Sequence, residues 1–304
     1  MRPSRLSRRP RWLMLVPLLL CLFASPSVSG QQQQQPQAGA FYLKNGDRVV
    51  FYGDSITDQR LYTTFAESFV VTRFPKLDVS FTHSGWGGDR VTGGGGGKIE
   101  QRLTRDVFPY RPNVVTIMLG MNDGTYKAFD QTIFQTYATG YESIVKKLKE
   151  TLPGVRLTLI QPSPYDDVTR PPLFEGGYNS VLVRYGGFVR ELAGREKVDV
   201  ADLNTSVVAA LQKANAADAA TAQKIVPDRV HPGASGHLLM AAALLRAWNA
   251  PALVSAVELD AAKKSVTHAE NAAVTEMKND NGTISWTQTD NALPFPLELK
   301  DDAL

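Results

Sequence analysis

Arg48-Val49-Val50-Phe51-Tyr52-Gly53-Asp54-Ser55-Ile56-Thr57 joins a short β-rich run to a glycine and then to residues suited to open a helix. Residues 48–52 favour a strand, Gly53 permits a tight turn, and a helical pattern over about 63–74 follows. Similar units recur along the chain. Apolar strand candidates at 77–81, 114–119, 155–160 and 198–203 alternate with helical patterns around 99–108, 128–151, 180–194 and 205–215, and a final helix is expected at about 236–248. Short, continuously apolar strands alternating with helices imply a parallel sheet covered on both faces, so residues 41–250 are expected to form one α/β domain.

The composition suits such a core. Of 304 residues, 43% are hydrophobic and 21% charged, which is globular and excludes disordered, collagen-like and multispan membrane classes. Residues 1–11 carry five arginines (Arg2, Arg5, Arg8, Arg9, Arg11) and no acid, 12–24 is apolar, and small residues follow through Ser29 and Gly30. That is the layout of a secretory signal, expected over 1–30, and it predicts a secreted or periplasmic protein. The apolar run falls short of the ~20 residues a membrane span needs, so no stable membrane insertion is expected after cleavage. Without those arginines the balance of 33 basic to 30 acidic residues becomes 28 to 30, so the net charge moves from +3 to −2. The basic character belongs to the leader, and no nucleic-acid partner is implied. Cys21, the only cysteine, lies in the leader as well, which leaves the mature chain without a disulfide or cysteine metal site.

Residues 31–40, rich in Gln, read as a linker with nothing to bury. After Pro251 the pattern turns β-rich: 274–277 and 283–286 are expected as strands joined at Asn281-Gly282, a favoured hairpin turn. Residues 251–304 are read as a C-terminal β-rich extension, either a small appendage or part of a larger partner domain.

In an open parallel sheet, ligands bind beyond the carboxyl ends of the strands, and four segments fall there. Ser55 follows the first strand and is placed as a nucleophile or as a helix cap. His83-Ser84-Gly85-Trp86-Gly87-Gly88-Asp89-Arg90 follows the second, where glycine lets a backbone amide approach a ligand or merely makes a flexible turn. This is not a phosphate-binding P-loop, since Thr92 stands at the first glycine position and Ile99 follows Lys98. Gly120-Met121-Asn122-Asp123 follows the third strand and offers an amide side chain or a turn. Asp228-Arg229-Val230-His231 sets an acid three residues before a histidine. Together they supply a nucleophile, a base, an orienting acid and oxyanion donors, the parts of an acyl-transfer site.

With these four blocks in this order, residues 47–249 resemble the SGNH family of GDSL-type hydrolases. The resemblance implies Ser55 as nucleophile, His231 as base, Asp228 as its orienting acid, and the Ser55 amide, Gly88 and Asn122 as the oxyanion hole. The second block departs from the family, which often has asparagine where His83 or Ser84 stands; Gly85 is the alternative donor. The chain has no G-x-S-x-G elbow, so the expected fold is a flavodoxin-like three-layer α/β/α sandwich with a central, mainly parallel five-stranded sheet, not an α/β-hydrolase. Asp54 and Trp86 are candidates to line the substrate site, Trp86 by stacking on a sugar or else as ordinary packing. No cofactor or metal is expected; His237 and His268 lack ligand-like company.

The expected reaction is ester hydrolysis through an acyl-enzyme, on short-chain or acetyl esters of carbohydrates. The partner is then a small-molecule or polysaccharide ester. The family equally implies lysophospholipase or thioesterase activity on lipid esters, acyl transfer would use the same residues, and a noncatalytic carbohydrate-binding protein is the rival from another class.

Overall fold

A computed structural model of the chain describes residues 39–297; the expected leader, Cys21 and most of the Gln-rich stretch lie outside the described residues. The elements run β1 (Asp47–Gly53), α1 (Ser55–Asp58), α2 (Leu61–Arg73), β2 (Val79–Gly85), the two-residue strands β3 (Gly93–Gly94) and β4 (Gly97–Lys98), α3 (Ile99–Asp106), β5 (Val114–Met118), α4 (Gln131–Thr151), β6 (Arg156–Ile160), α5 (Gly177–Glu196), β7 (Asp199–Ala201), α6 (Thr205–Ala217), α7 (Ala219–Ala222) and α8 (Ala234–Ala247). The central sheet has five strands in the order β2-β1-β5-β6-β7, and every neighbouring pair is parallel. This is the flavodoxin-like order. The chain leaves β1 toward β2 on one side and returns to β5 on the other, so the switch point lies beyond the carboxyl ends of β1 and β5.

Alternation along β1 separates the two helical layers. Phe51 meets Tyr62 of α2 and Trp248 after α8, whereas its neighbour Tyr52 lies under the Arg102 guanidinium of α3. Successive strand residues point to opposite faces, so α2 and α8 cover one side of the sheet and α3 the other. Buried Tyr137, Tyr141, Ile144, Val145 and Leu148 form the apolar stripe of α4, whose start is capped by Asp130 accepting from the Thr132 and Ile133 amides. Tyr137 stacks on Tyr185 of α5 at 4.3 Å between ring centroids, and Tyr141 donates to the Ile117 carbonyl of β5.

Two differences from the sequence expectation bear on the site. The second strand runs over Val79–Gly85 in place of 77–81, so His83, Ser84 and Gly85 belong to the strand and do not follow it. It is an edge strand and only partly buried, so polar residues occur in it and no apolar run marks its end. The single turn α1 was also unmarked, being too short to show a helical period.

The C-terminal part contains two antiparallel hairpins, β8 (Ala256–Asp260) with β9 (Ser265–Glu270) and β10 (Ala272–Asp280) with β11 (Thr283–Asp290). The second turns at Asn281 and Gly282, both at positive φ, as the Asn-Gly pair predicts. The first was not foreseen, because Ala261-Ala262-Lys263-Lys264 carries no Gly or Asn to mark a turn. Contacts tie this part to α2: Leu293 N–H donates to the Thr72 carbonyl, Phe295 packs on Phe65, and Arg73 donates to the carbonyls of Pro251, Ala252 and Leu253. No helix among the described residues is long and apolar enough to cross a membrane.

Candidate active site

β1 ends at Gly53, where an added Cβ would lie 2.2 Å from Thr57 Oγ1, so only glycine lets the chain fold tightly back into α1. Asp54 is the cap of that turn, accepting from the Ile56 amide at 3.0 Å, and Ser55 is its first residue. The capping role weighed for Ser55 thus falls to Asp54, and the Ser55 hydroxyl is left free for other partners. Asp54 is 1% exposed, so the expectation that it lines the substrate site is corrected: the α1 turn it caps has already buried its carboxylate.

The DRVH segment lies between α7 and α8 and brings His231 onto Ser55. His231 Nε2 is 2.8 Å from Ser55 Oγ, and Nδ1 is 2.7 Å from Asp228 Oδ2. An ionised carboxylate only accepts, so Nδ1 carries the hydrogen and the Nε2 lone pair accepts the Ser55 O–H. Burial acts to raise the Asp228 carboxyl, but hydrogen bonds from the His231 amide, the His231 ring and the Val230 amide outweigh it and hold it below the usual range. Asp228 is therefore ionised where the imidazole needs an anion beside it.

The segment is held by two arginines that sequence reasoning did not single out. Arg170 donates to the Val226 and Pro227 carbonyls and to Asp166, and Arg229, at φ +75, donates to the Pro171 carbonyl. The Arg229 carbonyl in turn accepts from the Asp166 amide. The clamp itself has no local sequence signal, since the carbonyls that Arg170 and Arg229 hold lie more than fifty residues away from them.

Asn122 follows β5 at the same sheet edge, 9% exposed, with Nδ2 donating to the Asp89 carbonyl at 3.0 Å and Oδ1 accepting from the Tyr126 hydroxyl at 2.9 Å. Gly88 stands next to Asp89 in the chain, at φ +72, and a Cβ there would meet nothing within 4 Å. Gly85 differs: a Cβ would lie 2.0 Å from the Asp58 amide, so its role is to let α1 pack on β2. The Trp86 ring lies against Arg105 and Arg102, at 4.7 and 5.4 Å from their guanidinium carbons, and stays 40% exposed. Packing accounts for the part of the ring that is covered.

Beneath these loops lies a buried polar layer. Burial pushes the Asp54 carboxyl up to about 7, against the Ile56 amide and with help from Asp123 and Asp89. Burial likewise pushes Asp123 up to about 7, although the Val91 amide bonds it. Arg102 is buried with Asp89 at 2.5 Å and also donates to Asp106 and the Ser84 carbonyl. His237 is buried too: Nδ1 accepts from the Tyr62 amide, Nε2 bonds Gln59 Oε1, and burial lowers its pKa to about 4, so it is a neutral structural group. Among the described residues, no cluster of three or more His, Cys, Asp or Glu side chains is arranged to hold a metal.

Residues 51–239 match the model of the GDSL-like Lipase/Acylhydrolase family. The chain belongs to that family. A curated relative, an acetylxylan esterase from Geobacillus stearothermophilus, is 25% identical over 224 residues, which are 67% of this chain and 94% of the esterase. The solved structure of BT4096, a gut microbial diltiazem-metabolizing enzyme, superposes with TM-score 0.73 at 30% identity, covering 86% of this chain; the chain spans 60% of the length of that enzyme. A crystal structure of an acetylxylan esterase from Geobacillus stearothermophilus shares the fold at TM-score 0.54 and 22% identity, covering 68% of this chain and 96% of the esterase. As a member of the GDSL-like lipase/acylhydrolase family, the chain is a carboxylic ester hydrolase.

Proposed function

We propose that the chain is an exported serine esterase that removes acetyl or other short acyl groups from carbohydrates through a Ser55-His231-Asp228 triad. The hydrogen-bonded relay from Ser55 through His231 to Asp228 carries this reading. A serine hydroxyl is a weak nucleophile near neutral pH, and a hydrogen-bonded imidazole supplies the missing base. Ser55 Oγ attacks the ester carbonyl carbon while its proton passes to His231 Nε2. The resulting oxyanion faces the amides of Ser55 and Gly88 and the Nδ2 of Asn122. Collapse breaks the bond to the alcohol oxygen, which leaves with the proton from His231, and the acyl group remains on Ser55. Water then gives a proton to His231 and attacks the acyl-enzyme, and the proton returns to Ser55 as the acid departs. Asp228 keeps its negative charge throughout, steadying the imidazolium.

Support for the substrate class is the acetylxylan esterase relative, and support for export is the arginine-rich, apolar leader of residues 1–30. The test is acetate release from acetylated xylan and acetyl sugars by the purified chain beside Ser55→Ala, with phospholipid and long-chain esters as the contrast. Ser55-dependent cleavage of the acetyl substrates is expected. Cleavage of the lipid esters alone overturns the substrate reading, and equal background rates in both proteins overturn the triad. Export is read separately by the N-terminal residue of protein recovered outside the cytoplasm, expected near Gln31.

A further inference from the structure

Asn122 serves as an oxyanion donor only if its carboxamide presents nitrogen, not oxygen, to the ester. The hydrogen-bonding neighbours of such an amide decide which way it faces. Here both ends are specified. Nδ2 gives one hydrogen to the Asp89 main-chain carbonyl, which can only accept, and Oδ1 takes a hydrogen from the Tyr126 hydroxyl at 2.9 Å. The second hydrogen of Nδ2 is left over for a ligand.

Tyr126 is held in place against its own backbone preference. Thr125 and Tyr126 adopt φ +54 and +56, the left-handed region that residues with a Cβ avoid unless their surroundings impose it. The surroundings are aromatic. The Tyr126 ring packs on Tyr178 and Tyr165 at centroid distances of 5.0 and 6.1 Å, and the Tyr178 hydroxyl donates to the carbonyl of Met121, the residue before Asn122. Gly124 lies so close to Tyr178 that a Cβ would come within 2.5 Å of its hydroxyl. Burial pushes the Tyr126 phenol up to about 12, so it remains a donor at any working pH. The ring rests on these two tyrosines, and its hydroxyl reaches Asn122.

We infer that Tyr126 is a positioning residue of the oxyanion hole, whose hydroxyl fixes the Asn122 carboxamide with Nδ2 turned toward the ester oxygen. The inference rests on the reading of Asn122 as an oxyanion donor. Tyr126 acts through Asn122, so its contribution must disappear once the amide is gone.

Tyr126→Phe keeps the ring on Tyr178 and Tyr165 and removes only the donor. With p-nitrophenyl acetate its kcat should fall on the order of ten-fold while KM stays nearly constant, because an oxyanion contact strengthens in the transition state. Inhibition by a boronic acid, which forms a tetrahedral adduct on serine, should weaken by the same factor, with the thermal midpoint unchanged. Asn122→Ala should cost on the order of 100 to 1,000-fold, and adding Tyr126→Phe to it should cost nothing more. Additive losses, a change confined to KM, or a Phe variant that does not fold would each overturn the positioning role. If Asn122→Ala turns over normally, the oxyanion reading itself fails; if Asn122→Ala is slow and Tyr126→Phe is not, only the role of Tyr126 fails.

Discussion

Ser55 Oγ and His231 Nε2 lie 2.8 Å apart although 176 positions separate them in the chain. The contact spans the first helical turn after β1 and the loop before α8, so it depends on how α2 and α8 pack together on one side of the sheet.

Removing the Asp228 charge should disable the relay without disturbing the fold. Asp228→Asn loses the acceptor that fixes the Nδ1–H tautomer, and by the behaviour of such triads kcat should drop roughly 10,000-fold while expression and thermal midpoint hold. Burst kinetics with a chromogenic acetate check it. A loss of less than ten-fold would mean that His231 does not need this carboxylate.

Gly85→Ala tests how tightly the nucleophile turn is packed. The new methyl would sit 2.0 Å from the Asp58 amide and 2.5 Å from the Thr57 carbonyl carbon, both backbone atoms. Overpacking of this kind costs about 1–3 kcal/mol, and relief by moving α1 would displace Ser55 and lower activity along with stability. Urea unfolding and turnover measured on the same sample decide the matter; unchanged values of both would contradict the packing.

Arg102→Leu should be among the most damaging changes outside the triad. Arg102 and Asp89 both have fully buried side chains, and removing one member of a buried pair leaves an uncompensated charge at a cost of about 3–5 kcal/mol. Adding Asp89→Asn should recover part of the loss. Denaturant midpoints for the single and double variants provide the comparison, and a mild single variant would count against it.

The buried acids make a prediction about pH. Asp54 and Asp123 are raised from 3.8 to about 7 in the folded protein, so between these values the native state keeps protons that the unfolded chain has released. Their contribution to stability is complete below about pH 3.8 and is lost as pH rises through 7. His237 works in the opposite sense, since its pKa is lowered from 6.5 to about 4 and its contribution is lost on acidification. The informative quantity is therefore the difference from the parent protein: Asp54→Asn or Asp123→Asn should show a smaller decline in thermal midpoint between pH 5 and 8. A decline equal to the parent's would show that these carboxyls are already ionised at pH 5.

The α/β class was legible because strands such as 114–118 and 156–160 are short apolar runs and α4 carries an apolar stripe, both local patterns imposed by burial. The candidate site was legible for a different reason. Ser55, Asn122 and the Asp228-His231 pair each stand at a chain turn whose glycine or acid is visible locally, and the parallel topology brings the first two to one sheet edge. The edge strand β2 was less well bounded, because one side open to solvent admits polar residues such as His83 and Ser84. The burial of Asp54 under α1, the clamp of Arg170 and Arg229 on the DRVH loop, the Arg102–Asp89 pair and the hydroxyl of Tyr126 on Asn122 left no periodic trace. These arise from the meeting of side chains on different loops and elements. A residue's type limits which bonds it can make, but its partner and its burial exist only once the sheet and its helices have closed around it.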